Sequence, residues 1–358
     1  MKKQDMLMLV GTYTSGSSEG IYVYRFDAGN LTATLLSKAE IDNPSYLTVS
    51  GDSKFVYSVS ESGEENSKAN AFAFDKTTGQ IRLLNSSKVG ANPCYIRVDG
   101  QNRFVVTADY SGGSVSVAPI AADGSLMPCG ETYPFDGSGP DSVRQSHSHI
   151  HCIAASPDGR SFFSTDLGND CIYQLDILPD KAVGDSPFFE YDESRTTKLT
   201  PGSGPRHLLF NAAGTMAYLI NELSGHVTVF KYSDAPSGGK LTEVQSLVAD
   251  TCYARGSADI HLSPDERFLY ASTRLKGDGI VIFKVDKQGL LAKIGYQPTG
   301  RHPRNFIITP DGKLMLVACK DAGMIQIFAI DTETGRLSDT GKNIPIDQVV
   351  CIRLLAWE

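Results

Sequence analysis

The sequence has little positive charge, no long hydrophobic run and no leader-like start. Its 33 lysines and arginines are outnumbered by 41 aspartates and glutamates, which leaves a net charge of −8. Such a chain repels a phosphate backbone, so nucleic-acid binding is not indicated. No apolar stretch reaches the ~18 residues of a membrane span, and the start, MKKQDMLMLVGTYTSG, reads poorly as a signal peptide. We therefore expect a cytoplasmic protein that binds neither nucleic acid nor membrane.

Paired cysteines and familiar catalytic motifs are also missing. The seven cysteines are widely spaced and form no CxxC motif, which indicates neither a disulfide framework nor a zinc site. His147, His149 and His151 are the only basis for a metal site, but no carboxylate follows them at a familiar ligand spacing. The one GxSxG match, GSSEG at residues 16–20, lies in a Ser-rich stretch that is typical of a loop and not of a strand-to-helix elbow, which argues against a serine hydrolase. We expect no metal and no other cofactor.

What the chain does contain is a repeat in which three short β runs are separated by polar turns and loops. No segment has a long apolar pattern of period 3.6, so helix should be scarce. We mark each copy by the first residue of its first turn, and the markers are Ser50, Asp99, Ser156, Asn211, Ser263 and Thr309. These markers are 49, 57, 55, 52 and 46 residues apart, a spacing typical of one four-stranded propeller blade.

The two ends of the chain supply a seventh copy. The tail DQVVCIRLLAWE matches the first strand of a blade and places Cys351 in the position of Cys94, while LMLVGTYT and GIYVYRF match the second and third strands. We predict an all-β fold in which residues 1–358 form a single domain. This domain is a seven-bladed β-propeller with four antiparallel strands per blade, closed by pairing N- and C-terminal strands in one blade. Two stacked β-sandwiches are the alternative, but sandwiches lack such a repeat.

Two positions of the repeat carry ionisable residues in several blades. The residues five before each marker are Ser45, Cys94, His151, Arg206, Ala258 and Arg304. The residues eleven after each marker are Glu61, Tyr110, Leu167, Glu222, Arg274 and Lys320. The first strand of a propeller blade lines the central channel, and the end of the second strand lies near the same face. The repeat therefore predicts that these residues converge at one mouth of the channel.

The residue types suggest chemistry on an anionic ester. The planar guanidinium group of arginine binds phosphate or carboxylate. It can also stabilise the oxyanion that forms when water attacks an ester carbonyl. His151 or Glu222 can activate that water. The alternative is that Arg206 and Glu222 only brace a blade junction and that His151 is a core residue. Three neighbouring arginines, however, need an anionic partner beyond Glu222. Our candidates for catalysis are His151, Glu222, Arg206 and Arg274, and those for substrate binding are Arg304, His149, Asp166 and Lys320.

Motifs along essentially the whole chain resemble those of a known family. They are VGTYTSGSSEGIYVY, HIHCIAASPDGR, GPRHLLF followed by INE, ADIHLSPDERFLYAS and HPRNFIITPDGKLMLVA. By these motifs the sequence resembles the lactonase family of seven-bladed propellers. That family includes bacterial 6-phosphogluconolactonases and fungal 3-carboxy-cis,cis-muconate lactonizing enzymes. The resemblance implies an active site formed by His151, Arg206, Glu222 and Arg274, with Arg304 nearby.

The resemblance implies a reaction class better than a substrate. The expected activity is hydrolysis of 6-phospho-D-glucono-1,5-lactone to 6-phosphogluconate in the pentose phosphate pathway. This small anionic lactone is the expected binding partner. The protein is expected to be a monomer or a weak homo-oligomer. A lactonizing cycloisomerase, a hydrolase of another anionic lactone and a non-catalytic protein-binding propeller are the alternatives. The chain departs from the family at Val350, where members often have proline. The polar segment 136–148, which holds Arg144, is expected to lie over the mouth and to alter substrate choice.

Overall fold

In the computed structural model, which describes residues 5–178, 186–233 and 239–357, the strands form seven antiparallel sheets. Each sheet is one blade. The blade that joins the N- and C-terminal strands, blade 7, consists of β1 (Asp5–Thr12), β2 (Gly20–Asp27), β3 (Thr32–Glu40) and β29 (Val349–Ala356). Blade 1 consists of β4 (Leu47–Val49), β5 (Phe55–Ser60), β6 (Lys68–Asp75) and β7 (Gln80–Lys88). Blade 2 consists of β8 (Pro93–Val98), β9 (Phe104–Asp109), β10 (Ser114–Pro119) and β11 (Glu131–Pro134).

The remaining blades follow in chain order. Blade 3 consists of β12 (Ile150–Ala155), β13 (Ser161–Asp166), β14 (Cys171–Ile177), β15 (Phe189–Tyr191) and β16 (Thr197–Lys198). Blade 4 consists of β17 (Pro205–Phe210), β18 (Met216–Asn221), β19 (His226–Ser233) and β20 (Lys240–Val248). Blade 5 consists of β21 (Ile260–Leu262), β22 (Phe268–Thr273), β23 (Gly279–Val285) and β24 (Leu291–Pro298). Blade 6 consists of β25 (Pro303–Ile308), β26 (Leu314–Cys319), β27 (Met324–Ile330) and β28 (Leu337–Pro345).

This architecture confirms the predicted propeller and its closure. β1 pairs with β29 on one side and with β2 on the other, so one sheet contains strands from both ends of the chain. Blade 3 differs from the four-strand pattern because its outer position is divided between β15 and β16, both of which pair with β14. Helix is scarce, as expected: within the described ranges there is one α-helix, α1 (Gly63–Asn66), and 3₁₀ turns at Glu193–Arg195 and Lys320–Ala322. No described helix is long and apolar enough to cross a membrane.

The hydrophobic core lies between neighbouring blades. Val106 and Val115 of blade 2 pack in one cluster with Ile153 and Leu175 of blade 3. Every residue of β9, β10 and β13 is buried, because these strands pack against other blades on both faces. Each buried side chain of this size contributes about 1.5–3 kcal/mol to stability. Adjacent first strands also contact one another, for example β8 with β12 and β29 with β4, and so surround a central channel.

A β-bulge near the start of the first strand positions the residues of the site. The pairing register shifts at Cys94, His151, Arg206 and Arg304, so that each of these residues is the extra one in its strand. A bulge leaves its extra residue unpaired and redirects its side chain. Four side chains of four blades are therefore released from the sheet at equivalent positions.

The seventh blade shows that one sequence prediction was wrong. In β29 the register shift falls between Val349 and Cys351, so Val350 is the residue equivalent to Cys94, and Cys351 pairs with Gly11. The prediction had placed Cys351 in the position of Cys94. It failed because β29 is followed by no turn marker from which the register could be counted.

Candidate active site

A cavity of about 290 Å³ lies at the end of the channel where the first strands begin. All seven blades and the segment between blades 2 and 3 contribute to its wall. The lining residues are Tyr13, Glu61, Cys94, Tyr110, Arg144, His151, Glu222, Arg274, Leu275 and Arg304. Five of the residues singled out by their repeat position and type, His151, Arg206, Glu222, Arg274 and Arg304, thus lie in this wall or bond directly to it.

Glu222 is the anion at the centre of this cluster. It directly follows β18, where its backbone N–H donates to Gly204 O at 2.7 Å. Its Oε2 accepts from Arg206 Nε at 2.9 Å and from Arg274 Nη2 at 3.0 Å, and its Oε1 accepts from Arg144 Nη2 at 2.6 Å. Burial opposes ionisation, but the three guanidinium groups outweigh it and lower the pKa of Glu222 to about 2. Glu222 is therefore a carboxylate at neutral pH.

Arg206 and Arg274 are held firmly by other contacts. Arg206 is 2% exposed, and its Nη1 donates to the carbonyl oxygen of Ala258. Arg274 Nε donates to Gly256 O at 2.7 Å, and its Nη1 donates to His302 Nε2 at 2.9 Å. Burial lowers the pKa of Arg274 to about 9 despite the attraction of Glu222, so it stays charged at neutral pH. Both guanidinium groups are fixed in place before a ligand binds.

Arg304, on β25 of blade 6, forms no ion pair with a described carboxylate. Its guanidinium carbon lies 5.4 Å from the centroid of the Tyr13 ring, and Tyr13 donates through its hydroxyl to Glu61 Oε2 at 2.9 Å. Among the residues that the structure describes, no carboxylate oxygen lies within 4.0 Å of Arg304. The four arginines of the cluster therefore exceed its two carboxylates, Glu61 and Glu222, by two formal charges. This surplus attracts a small anion, and a dianion most strongly.

His151 stands between the carboxylate and a thiol. It is 4% exposed, its Nε2 lies 3.9 Å from Glu222 Oε2, and its Nδ1 lies 3.7 Å from Cys94 Sγ. The ring meets Tyr110 edge-on at 5.5 Å. Burial, reinforced by the positive charge of Arg206, holds the pKa of His151 well below its ordinary value. His151 is therefore a neutral imidazole at pH 7.

The other sequence candidates lie behind the cavity wall. His149 stacks on Tyr110 with centroids 4.4 Å apart, and its Nδ1 contacts Tyr110 O at 2.9 Å, so it orients a lining residue. Lys320 Nζ lies 5.8 Å from the Tyr13 ring and bonds Asp321 Oδ1 at 3.1 Å. Asp166 is fully buried, and its oxygens accept from three backbone N–H groups and from two hydroxyl groups, including that of Tyr173. Asp166 therefore stabilises the turn after β13.

The segment 136–148 reaches the cavity, as its composition suggested. Arg144 is its contribution to the wall, and the ion pair with Glu222 ties the segment to blade 4. Asp141 accepts hydrogen bonds from the backbone of Val143 and Arg144 and forms an ion pair with Arg255 of the segment before blade 5. The segment is thus attached to two other parts of the ring at the mouth.

Sequence reasoning did not single out Tyr13 or His302. Tyr13 follows β1, outside both positions of the repeat. His302 accepts from Arg274 through Nε2, and its Nδ1 lies 3.0 Å from Asp321 Oδ2. Burial, together with Arg274, lowers the pKa of His302 to about 4, so it is a neutral positioning residue for Arg274. The motif HPRNF contained this histidine, but nothing in the sequence indicated its partner.

Comparison with known proteins agrees with this fold. Residues 7–354 match the family described as "Lactonase, 7-bladed beta-propeller". The chain belongs to this lactonase family. It is 36% identical to a 6-phosphogluconolactonase of Formosa agariphila, an alignment that covers 98% of this chain and 99% of that protein. It is 34% identical to a 6-phosphogluconolactonase of Bacillus subtilis, covering 97% of each protein.

Solved structures of similar proteins extend the comparison. The lactonase superposes with a TM-score of 0.95 on a proposed 6-phosphogluconolactonase from Bacteroides fragilis, at 50% identity and 98% coverage of both chains. It superposes with a TM-score of 0.91 on the periplasmic gluconolactonase PpgL of Pseudomonas aeruginosa, at 32% identity, covering 99% of this chain and 100% of the other. In the described part of this lactonase, no group of three or more histidine, cysteine, aspartate or glutamate residues is arranged to hold a metal ion.

Proposed function

We propose that this lactonase hydrolyses 6-phospho-D-glucono-1,5-lactone to 6-phosphogluconate. The observation that carries the proposal is the surplus of two positive charges beside a neutral, buried histidine. A phosphorylated lactone supplies the missing negative charge with its phosphate and the electrophile with its ring ester. The names of the two curated relatives support the same substrate.

The arginines bind two different parts of the substrate, the phosphate and the lactone carbonyl group. Arg304 has no described carboxylate partner, so its fork is free to take the phosphate. Arg206 and Arg274 are already oriented by Glu222 and by backbone carbonyl groups. Groups fixed in this way stabilise an oxyanion without reorganising during the reaction. We assign them to the carbonyl oxygen of the lactone.

His151 is the better general base of the two candidates. Glu222 is ionised, but both of its oxygens already accept hydrogen bonds from guanidinium groups, which hold it in place as an anion. The neutral imidazole of His151 can take a proton from water as the water oxygen bonds to the carbonyl carbon. When the bond from that carbon to the ring oxygen breaks, the imidazolium returns the proton to the leaving oxygen. Glu222 then serves to hold Arg206 and Arg274 and to stabilise the transient imidazolium 3.9 Å away.

The second candidate substrate is an unphosphorylated sugar lactone. It is favoured by the similarity to the gluconolactonase of Pseudomonas aeruginosa. The two candidates differ by the phosphate alone, so the role of Arg304 decides between them. A lactonizing cycloisomerase would use the same arginine cluster but is not suggested by the relatives' names. A protein-binding propeller presents an apolar patch, whereas this cavity is lined by charged side chains.

The proposal is tested by measuring lactone hydrolysis with enzymatically generated 6-phospho-D-glucono-1,5-lactone. We expect kcat/KM for this lactone to exceed that for D-glucono-1,5-lactone by about tenfold or more, the contribution of one charge-assisted pair. Equal values would favour the unphosphorylated substrate, and a rate no faster than spontaneous hydrolysis would overturn the activity itself. The monomeric or weakly associated state and the cytoplasmic location stay predictions, to be tested by sedimentation and by cell fractionation, since one structural neighbour is named periplasmic.

A further inference from the structure

The other end of the channel contains a second site that the proposed reaction does not use. Two adjoining cavities of about 340 and 300 Å³ lie there and share Tyr46, Tyr95 and Arg97. Arg97 stands three residues after the bulged Cys94 on β8, which at strand spacing is about 10 Å further along the channel. The shared cavity region is therefore separate from the active-site cavity.

The bulge register shows that a second arginine occupies the same position. Because Val350 is the residue equivalent to Cys94, Arg353 of blade 7 is equivalent to Arg97 of blade 2. Both arginines line the cavity of about 340 Å³. They flank Tyr46 of blade 1, which is inserted between their two blades. We call this arrangement the basic mouth, defined by Arg97, Arg353, Tyr46 and Tyr95.

Contacts confirm that the two guanidinium groups approach the same aromatic pair. Tyr46 and Tyr95 stack with centroids 4.1 Å apart, and the guanidinium carbon of Arg353 lies 4.5 Å from the centroid of Tyr46. Both arginines also act electrostatically on the hydroxyl of Tyr95. The basic mouth thus combines a flat aromatic surface with two planar cations.

Neither arginine has an acidic partner in the described structure. Arg97 Nη1 donates to Ile153 O at 3.5 Å and Arg353 Nη1 to Ile352 O at 2.9 Å, and no described carboxylate lies within 4.0 Å of either group. Two half-buried positive charges of this kind normally have an anionic partner.

The two carboxylates that line these cavities are already engaged. Asp99 bonds the side chain of Arg103 at 2.8 Å and accepts from backbone N–H groups. Asp259 accepts at 2.8 Å from His207 Nδ1 and at 3.0 Å from His261 Nε2, and also from Asn305. Arg103 compensates the charge of Asp99, whereas Asp259 keeps its negative charge because burial lowers the pKa of His207 to about 4. Arg97 and Arg353 therefore exceed the remaining carboxylate by one positive charge.

We propose that the basic mouth binds a small phosphate-bearing anion, with Arg97 and Arg353 holding the phosphate. Arginine forks match the geometry of phosphate oxygens, and two forks from different blades grip one group from both sides. Tyr46 and Tyr95 offer a stacked surface to the organic part of the ligand. The site is independent of the proposed hydrolysis, since it lies in another cavity and shares no lining residue with the first.

Isothermal titration calorimetry with inorganic phosphate tests this proposal. We expect two binding events in the wild-type protein, one in each cavity. The variant Arg97→Gln/Arg353→Gln should lose one event, with affinity at that site at least about tenfold lower, because each substitution removes a charge-assisted fork. Arg304→Gln should weaken the other event, and Arg82→Gln, at an exposed residue of β7, should change neither. Sodium chloride at matched ionic strength controls for general screening.

The location is checked by soaking crystals with selenate, a phosphate-like oxyanion with an anomalous signal. Density between Arg97 and Arg353 supports the proposal. A single phosphate site in the wild type that persists unchanged in Arg97→Gln/Arg353→Gln overturns it, whether or not the protein hydrolyses lactones. If the double variant does not fold by circular dichroism, Arg97→Gln alone replaces it and must still weaken the same event. An unchanged affinity in that variant contradicts the proposal equally.

Discussion

Replacing the central carboxylate by its uncharged isostere, Glu222→Gln, should destabilise the protein at neutral pH. The substitution leaves Arg144, Arg206 and Arg274 facing one another without their anion. The pKa of Glu222 falls from an ordinary 4.5 to about 2 on folding, a difference that corresponds to about 3 kcal/mol of stability. Removing one partner of a buried ion pair costs about 3–5 kcal/mol in other proteins, which agrees in size.

The pH dependence of the wild type follows from the same shift. Because the pKa is lower in the folded state, the contribution of Glu222 is complete above about pH 4.5 and is lost as the pH falls towards 2. Urea unfolding midpoints of the wild type and of Glu222→Gln should therefore differ at pH 7 and converge at low pH. Glu333→Gln, at a residue whose side chain is 82% exposed, serves as the control with no expected effect. Equal midpoints of the wild type and Glu222→Gln at pH 7 would refute the central role of this carboxylate.

Three further predictions concern the reaction. Arg304→Gln should raise KM for the phosphorylated lactone about tenfold and leave KM for the unphosphorylated lactone nearly unchanged, since it removes one fork from the phosphate; equal effects on both would assign Arg304 elsewhere. The kcat/KM of the wild type should be flat between pH 6 and 8, because the pKa of His151 lies well below its ordinary value; a fall in this range that disappears in His151→Gln would contradict the neutral imidazole. His302→Phe should lower kcat more than it lowers binding, because it releases the Nη1 of Arg274 that His302 Nε2 holds at 2.9 Å; a change in stability alone, with kcat intact, would limit His302 to a structural role.

The sequence predicted the fold because the same pattern of short β segments, one per blade, occurs seven times along the chain. Blade spacing and the alternation of β runs placed the strands, and the match of the tail to a first strand predicted the pairing of β29 with β1. The same repeat provided a register that related His151, Arg206 and Glu222 across blades. Their side chains meet because equivalent positions of a closed ring face the same channel, a geometric consequence that needs no knowledge of side-chain packing.

What the sequence did not predict depends on local backbone geometry. The one-residue error at Cys351 arose because no turn marker follows β29, so the sequence does not show where its bulge falls. That error also concealed the equivalence of Arg97 and Arg353. Asp166 was predicted to bind substrate, yet its oxygens accept hydrogen bonds within the turn that follows β13. The ion pair between Arg144 and Glu222 depends on the path of a long connection, which repeat spacing does not determine.

The central claim is that the cavity around His151 hydrolyses a phosphorylated lactone. Its most direct test compares the disappearance of 6-phospho-D-glucono-1,5-lactone with equal amounts of wild-type protein and His151→Gln. The account predicts that the wild type far exceeds spontaneous hydrolysis and that the variant, folded to the same thermal midpoint, loses about 10²-fold or more in kcat. Equal rates for the two folded proteins would contradict it.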